Sequence, residues 1–157
     1  MRYIPSPDGD LALGAWYGTL QASGALDAIL PRRVPRLGAV MAFFAPPTVW
    51  LGEVDARGVW VAIWAIPWCD GATLGLWVRP DKRTSRQALR TILMALEAFL
   101  ATWPVLLVWT HTTRRRDLYE KGGVVFAPEP VPAVLNGKAA WFGWLTAEGL
   151  ALAREEA

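Results

Sequence analysis

The chain has 157 residues, of which 54% are apolar and 19% are charged, and a formal net charge of +2 at neutral pH. This length suits one domain with a sizeable core, and the apolar fraction excludes a disordered chain. The small net charge gives no reason to expect a polyanionic partner. The single cysteine, Cys69, excludes an intrachain disulfide and the usual zinc-ligand sets, so no metal site is expected.

The first part of the chain is predicted to contain a short strand over residues 2–6 and two short helices within residues 10–30. Apolar residues recur at roughly helical spacing in the second range, but glycines interrupt the pattern, so one long helix is not expected. Residues 31–38 contain two prolines and are predicted to form a loop.

Three runs typical of β-strands follow, at residues 48–55, 58–66 and 73–78. The middle run is rich in β-branched and aromatic residues and is apolar on both faces, as expected of a central strand. Glycine-containing turns at residues 55–58 and 67–72 join the three runs. This spacing predicts an antiparallel meander.

The longest helix is predicted over residues 84–103, where apolar residues with a period of 3.6 trace one face. Thr84 or Ser85 is the expected N-cap, and a proline marks the end of the helix. A continuous apolar strand follows at residues 105–110. Because a long helix separates it from the strand at 73–78, we expect a crossover and a parallel pair of strands inside a mixed sheet.

The last third of the chain is predicted to begin with a short helix at residues 114–121, which Thr112 or Thr113 could cap and a glycine pair would end. Strands are expected at residues 124–128 and 139–145, with a connection between them. We expect residues 1–145 to form a single domain, followed by a tail over residues 146–157 that either forms one short capped helix or frays.

The start of the helix at 84–103 has the features of an anion-binding site. A helix N-terminus presents unpaired backbone N–H groups and partial positive charge, which suit a pyrophosphate. Cationic side chains cluster at the same end: Lys82, Arg83, Arg86 and Arg90. The alternative interpretation is a basic first turn that is simply solvated.

Two motifs connect this chain to a known family. VRPDKRTSRQALRTIL (78–93) matches the pattern Arg/Gln-x-x-Gly-x-Gly/Ala, except that Arg86 stands in place of the first glycine. THTTRRRDLYEKGGVVF (110–126) resembles the pattern Asn-x-x-Ala-x-x-x-Tyr-Glu-Lys-x-Gly-Phe. Tyr119, Glu120, Lys121 and Gly123 match, whereas Thr112 stands in place of the asparagine and Arg115 in place of the alanine. With these motifs and its element order, the chain resembles the GNAT superfamily of N-acetyltransferases.

The resemblance implies an α/β (α+β) fold with a mixed, mostly antiparallel central sheet and helices on both faces. It also implies an N-acyltransferase that transfers an acyl group from acetyl-CoA, or another acyl-CoA, to an amine. The residues that would bind the CoA thioester are Leu76, Trp77, Val78, Arg83, Thr84, Ser85, Arg86, Gln87, Ala88 and Thr112.

The resemblance makes Tyr119 the general acid that protonates the departing thiolate. A phenol is neutral at physiological pH and can donate a proton to a thiolate. The structural alternative is a half-buried aromatic residue that supports the glycine turn. Glu53 is the candidate general base, with Asp70 and His111 as other candidates.

Arg86 leaves open whether CoA binding survives, because its side chain could block the phosphate or pair with it. The alternative function is a non-catalytic protein of this fold that acts through protein–protein contacts. The C-terminal half is similar to small acetyltransferase-like proteins of tailed bacteriophages, which implies a role in a virion or its assembly and a virion or host protein as partner.

The expected location is the cytoplasm of a bacterial host, or a virion if the phage resemblance holds. No apolar run has the length needed to cross a bilayer, so no membrane association is expected. Nucleic-acid binding through Arg114–Arg116 together with Lys82, Arg83 and Arg86 is a weaker hypothesis, because three consecutive arginines usually form a solvated helix face. Such binding would have to weaken steeply with salt.

Overall fold

The computed structural model describes residues 2–4, 17–29, 47–135 and 137–156. The strands are β1 (Arg2–Ile4), β2 (Val49–Asp55), β3 (Gly58–Trp68), β4 (Gly71–Val78), β5 (Val105–Thr110), β6 (Val125–Phe126), β7 (Val131–Leu135) and β8 (Lys138–Leu145). The helices are α1 (residues 17–22), α2 (Ala25–Ile29), α3 (Arg86–Thr102), α4 (Thr113–Lys121) and α5 (Ala147–Glu155).

These elements form a mixed, mostly antiparallel sheet flanked by helices, which confirms the predicted fold class. The strands follow the order β1-β2-β3-β4-β5-β8-β6, and β7 pairs with β8 beside this path. Strands β4 and β5 run parallel, as the long helix between them predicted, whereas β5 and β8 run antiparallel.

The chain forms two compact units. The first comprises Met1–Ile66 and Gly75–Leu96, and the second comprises Pro67–Leu74 and Glu97–Ala157. Strand β4 and helix α3 each contribute residues to both units. The single domain expected over residues 1–145 stays a prediction.

The core of the first unit packs the short helices α1 and α2 against tryptophan-rich strands. Its buried residues are Leu20, Ala25, Leu26, Trp50, Val59, Ala62 and Trp77. Trp50 on β2 stacks against Trp64 on β3, with ring centroids 4.7 Å apart. Burial of such large aromatic surfaces is a major source of stabilisation, so these tryptophans contribute much of the core of this unit.

One glycine on β4 makes room for this aromatic stack. A Cβ atom at Gly75 would lie 1.9 Å from Cε2 of Trp64, so no larger residue fits there without displacing the indole. The glycine is therefore required by close packing, and its backbone has an ordinary negative φ in the strand.

The core of the second unit lies on one face of the strands around β5. Leu106 and Val108 on β5 and Leu145 on β8 are buried, because alternate side chains of a strand point to the same face. The opposite face carries Trp109 on β5 and Trp144 on β8. Trp109 pairs with Phe142. These two indoles remain 37% and 43% exposed.

The turn between β3 and β4 is shorter than the sequence predicted. β3 continues through Pro67 to Trp68, and only Cys69 and Asp70 separate it from β4. The predicted turn at 67–72 was too long, because proline usually ends a strand. Here Pro67 is extended and remains in β3. The exposed Cys69 has φ +41, a conformation that makes so tight a connection possible.

Strand β7 lies in the segment that was predicted only to connect the strands at 124–128 and 139–145. Its Pro132 argued against a strand, but β7 pairs with β8 through an irregular register, and prolines are tolerated at such positions. Strand β6 is shorter than the predicted 124–128 and covers only Val125–Phe126.

The helices agree with the predicted caps. The Thr112 side chain accepts a hydrogen bond from the Arg115 backbone and caps α4, and Thr146 caps α5 through Gly149 N–H. The tail after residue 145 therefore contains a capped helix. Some predicted ranges lie outside the described residues. They include residues 5–6 of the first strand, residues 10–16 and 30 of the predicted helices, and the whole loop at 31–38.

Candidate functional site

The connection between β4 and α3 folds through a continuous series of hydrogen bonds. A 3-10 turn covers Pro80–Lys82, and Lys82 N–H donates to Arg79 O over 2.9 Å. Ser85 then donates to Lys82 O through both its N–H, at 3.0 Å, and its Oγ, at 2.8 Å. Ser85 Oγ accepts from Ala88 N–H over 3.1 Å, which makes Ser85 the N-cap of α3.

Backbone donors remain available at the start of α3. Among the described residues, no backbone hydrogen bond uses the N–H groups of Arg86 and Gln87. The side chains of Arg86 and Arg90 are exposed, and neither forms an ion pair with a described residue. Unpaired N–H groups and unneutralised guanidinium groups match the charge and acceptor atoms of a pyrophosphate.

The exposure of Arg86 bears on whether its side chain obstructs the helix start. It occupies the first position of α3 and points to solvent. A guanidinium in this position can fold towards an anion or away from it, so the donors at the helix start are compatible with a bound phosphate.

Arg83 and the end of β4 form a second part of the candidate site. Arg83 Nε donates to Val78 O over 3.0 Å, which leaves its two terminal NH₂ groups available. Arg79 N–H donates to Trp60 O on β3 over 2.8 Å. Because successive residues of a strand direct their N–H and C=O groups to opposite sides, Val78 and Leu76 direct theirs away from β3.

Trp77 differs from its neighbours in this segment. Its side chain is 8% exposed and belongs to the core of the first unit. Its backbone groups point to the same side as those of Arg79, towards β3. The Trp77 side chain is therefore not available to contact a ligand.

A cluster of charges around the buried Arg79 side chain lies at the beginning of the β4–α3 connection, where the sequence predicted no special role. The Arg79 side chain is only 8% exposed and binds two carboxylates. Its Nη1 and Nη2 donate to Asp55 over 2.9 and 2.5 Å, and its Nε donates to Asp81 over 2.7 Å. Asp55 also accepts from Arg57 N–H over 2.8 Å.

The cluster has a clear electrostatic signature. Hydrogen bonding from Arg79 holds the pKa values of Asp55 and Asp81 below the ordinary range, although burial opposes both shifts. The hydrogen bonds that Arg79 donates to these carboxylates raise its own pKa further above the usual value. All three groups are therefore charged near neutral pH. The sequence signal was an arginine at the end of a buried strand with an aspartate two residues later.

Tyr119 lies in the second unit, on the last turn of α4. Its side chain is half-buried, and burial raises its pKa above the ordinary value, although Arg115 acts in the opposite direction. The phenol therefore keeps its proton across the physiological range. Within the described part of the chain, the hydroxyl group forms no hydrogen bond, so it is available as a donor.

The glycine pair after Tyr119 ends α4 and allows a close approach to α5. The N–H groups of Gly122 and Val124 donate to Tyr119 O over 2.9 and 3.1 Å. Gly123 has φ +99, and a Cβ atom there would lie 2.3 Å from Gly149 O. The glycine thus fixes the last turn of α4, and with it the position of Tyr119.

The remaining candidate residues occupy separate positions. Glu53 lies on β2 in the first unit, beside a register shift between β2 and β3. Thr112 and His111 follow β5 in the second unit, where His111 Nδ1 lies 3.0 Å from Ala139 O. The Thr112 hydroxyl oxygen accepts the capping hydrogen bond from Arg115 N–H, and its O–H group can still donate to a ligand.

Arg116 has a structural role in the second unit. Its guanidinium carbon lies 4.3 Å from the ring centroid of Trp141, and its Nε lies 3.6 Å from a Glu120 carboxylate oxygen. Arg114 and Arg115 are exposed. The three-arginine run is thus divided between one packed and two solvated side chains.

Solved N-acetyltransferase structures match this fold over nearly the whole chain. An aminoglycoside 6'-N-acetyltransferase complexed with coenzyme A is 15% identical, with a TM-score of 0.66 and coverage of 93% of this chain and 97% of its own. The Enterococcus faecium aminoglycoside 6'-N-acetyltransferase is 17% identical, with a TM-score of 0.65 and the same coverage. A spermidine N-acetyltransferase chimera of Vibrio cholerae SpeG and hSSAT is 10% identical, with a TM-score of 0.69 and coverage of 96% and 97%.

This chain has the N-acetyltransferase fold. At these identities, the likeness establishes the fold alone. No protein-family model matches the sequence, and no curated protein sequence matches it either. Within the described residues, no helix has the length and apolar character of a membrane span, and no group of three or more potential ligands could hold a metal ion.

Proposed function

We propose that the protein is an N-acyltransferase that transfers an acyl group from acyl-CoA to an amine. The observation that carries the proposal is the start of α3, which combines free backbone N–H groups with unneutralised cations in an N-acetyltransferase fold. The proposal extends to acetyl-CoA as the acyl donor, because the matched structures are acetyltransferases and one of them is a complex with coenzyme A.

In this proposal, the end of β4 and the start of α3 bind the phosphate and pantetheine parts of the donor. The N–H groups of Arg86 and Gln87 donate to the pyrophosphate, and the side chains of Arg83 and Arg86 neutralise its charge. The backbone of Leu76 and Val78 is the partner for the amide groups of the pantetheine arm. The remaining candidates in the connection are Thr84, Ser85 and Ala88. Trp77 has no part in this proposal, because its side chain is buried and its backbone groups point towards β3.

Tyr119 is the proposed proton donor. Acyl-CoA provides the acyl group as a thioester, whose C–S bond breaks while the amine nitrogen forms the new amide bond and loses a proton. Tyr119 donates a proton to the departing sulfur, a role that suits a phenol whose raised pKa keeps it protonated. Thr112 contributes a hydroxyl donor, and Glu53 is the proposed acceptor of the proton from the amine.

The acceptor is proposed to be a primary amine on a small molecule. The matched enzymes are named for aminoglycosides and spermidine, which are amines. A panel of polyamines and aminoglycosides is therefore the first set of acceptors to test, with acetylated product detected by mass spectrometry.

Binding of the donor is the primary test. Isothermal titration calorimetry of the purified protein with acetyl-CoA should give a dissociation constant between about 1 µM and 1 mM, the range in which KM values usually fall. Pantetheine, which lacks the pyrophosphate, should bind more weakly. Absence of heat at millimolar acetyl-CoA would contradict the proposal.

A non-catalytic role through protein contacts is the second candidate. It is favoured by the exposed indoles of Trp109 and Trp144 on one face of the second unit, since tryptophan is enriched at protein interfaces. It predicts a stable complex with another protein and no dependence on CoA. The matched acetyltransferases give no support for a bacteriophage origin, which stays a prediction together with the virion or host partner.

A further inference from the structure

The proposed reaction gives no role to the most deeply buried charge near the candidate site. Arg79 precedes the phosphate-binding residues, and its side chain is 8% exposed. Removing a guanidinium from water is costly unless it is paired and hydrogen-bonded, and replacing a buried ion pair with apolar residues is often neutral for stability. A stability role alone therefore gives a weak reason for this arrangement.

Arg79, at the end of β4, connects two turns of the first unit. Its terminal NH₂ groups bind both oxygens of Asp55, at the end of β2. Its Nε and Nη2 bind Asp81, in the 3-10 turn, over 2.7 and 3.2 Å. Arg57 also reaches Asp81, with Nη1 3.3 Å from its Oδ2. The guanidinium thus connects the β2–β3 turn to the turn that precedes α3.

The same residue begins the hydrogen-bond series that leads to the helix. Arg79 O accepts from Lys82 N–H, Lys82 O accepts from Ser85, and Ser85 Oγ accepts from Ala88 N–H. A displacement at Arg79 would therefore be transmitted to the first turn of α3. The free N–H groups of Arg86 and Gln87 lie in that turn.

The cluster also controls the charge next to the cationic helix start. Asp55 and Asp81 bring two negative charges to this region, and both are engaged by Arg79. Without Arg79, these carboxylates would be free to pair with Lys82 or Arg83, or to repel a phosphate. The pairing thus keeps the cations of the helix start available to an anionic ligand.

We propose that Arg79 is a positioning residue for the donor's pyrophosphate. By binding Asp55 and Asp81 together, it holds the turn over Pro80–Ser85 so that the N–H groups of Arg86 and Gln87 are presented to the phosphates. The inference rests on the proposed function, because it requires a ligand with a pyrophosphate at the start of α3.

The test compares two acyl donors that differ in the pyrophosphate. Acetyl-CoA contains it, whereas S-acetylpantetheine carries the same thioester without it. In Arg79→Lys, the charge remains, but a lysine cannot bind two carboxylates with the planar fork of a guanidinium. We expect kcat/KM for acetyl-CoA to fall at least about tenfold through a higher KM, since a misplaced binding group is costly. With S-acetylpantetheine, kcat/KM should be unchanged.

Two further variants make the result independent of one substitution. Asp81→Asn removes one carboxylate but keeps the length of the side chain. It should lower kcat/KM for acetyl-CoA by a smaller factor than Arg79→Lys, and it should likewise leave kcat/KM for S-acetylpantetheine unchanged. Arg154→Lys is the matched control, because Arg154 forms an exposed ion pair with Glu97 in the second unit, remote from this cluster in the sequence. It should leave both donors unaffected.

The outcomes separate the inference from the proposed function. If Arg79→Lys and Asp81→Asn lower kcat/KM for both donors equally, or for neither, the positioning role is wrong while the proposed function stands. If the wild-type protein turns over neither donor, the same comparison is made from the dissociation constants of CoA and pantetheine. If the wild-type protein does not bind CoA, the proposed function itself fails.

Discussion

At the scale of single residues, the two units carry different kinds of chemistry. Tyr119 is a neutral acid kept protonated by burial, whereas Asp55, Arg79 and Asp81 are kept charged by one another. The first arrangement suits proton donation, and the second suits precise placement of a backbone segment. Each leads to a measurable consequence.

Replacement of Tyr119 by phenylalanine should slow the chemical step without weakening donor binding. The substitution removes only the hydroxyl group, and loss of a general acid typically costs about 100-fold or more in rate. We expect kcat to fall by that order while KM for acetyl-CoA stays within about twofold, as measured by initial rates.

Tyr17→Phe is the matched control for this substitution. Tyr17 is also half-buried, but it packs against the core of the first unit. The variant should keep the wild-type kcat. An unchanged kcat in Tyr119→Phe would remove the phenol from the mechanism and leave it a supporting role beneath the glycine turn.

The acidic pair should make the fold sensitive to low pH. The folded pKa values of Asp55 and Asp81 are lowered, so their stabilising contribution is present above the unfolded-state value of about 3.9. That contribution is lost as the pH falls through the lower folded-state values. We expect the wild-type melting temperature to decrease between about pH 5 and pH 2, as measured by circular dichroism.

Asp55→Asn tests the origin of this acid sensitivity. The variant should melt at a lower temperature than the wild type at pH 7, because Arg79 loses one charged partner. The difference between the two proteins should shrink as the pH falls below the unfolded-state pKa of the wild-type carboxyl, because proton uptake by the unfolded state removes its stabilising contribution. Parallel melting curves across the whole pH range would contradict the assignment.

At the scale of elements, glycines decide where helices and strands can approach each other. Gly75 leaves space for the Trp64 ring, and Gly123 lets the end of α4 contact Gly149 in α5. The second contact explains why a tyrosine near the end of a short helix is followed by two glycines. Gly122 ends the helix, and Gly123 makes the turn towards β6.

The two consecutive glycines should differ in their tolerance of alanine. Gly123→Ala combines a φ of +99 with a Cβ atom 2.3 Å from Gly149 O, so it should lower the free energy of unfolding by at least about 2 kcal/mol. Gly122→Ala is the control, because its nearest contact would be Tyr119 O at 3.3 Å. Its effect should stay within about 1 kcal/mol.

Urea denaturation of both variants measures the difference directly. If the two alanine variants have equal stability, the close packing of the turn on α5 does not contribute to the folded state. A stable Gly123→Ala variant with reduced kcat would instead indicate that the turn moved and displaced Tyr119 without unfolding the protein.

At the scale of the whole molecule, the sequence predicted those features that depend on local pattern. The period of 3.6 at 84–103 identified α3, and the long helix between two apolar runs predicted the parallel strands β4 and β5. Thr112 was one of two proposed caps, and the structure selects it. These elements are specified by residues close together in the chain.

The missed features depend on contacts between distant residues. Asp55 and Arg79 are separated by 24 positions, and neither spacing nor composition shows that their side chains meet. Strand β7 was missed because its Pro132 disfavours a strand locally, while its pairing with β8 is decided by the sheet. Similarly, nothing in the sequence indicated that Gly75 faces Trp64 across neighbouring strands.

The two-residue connection at Cys69 affects how turnover can be followed. Its exposed sulfhydryl is the single thiol of the chain, so reagents that colour on reaction with released CoA will also titrate the protein itself. The positive φ at this position makes asparagine or glycine a better replacement than serine or alanine. Cys69→Asn would therefore remove the signal that the protein's own thiol contributes to a continuous colorimetric assay.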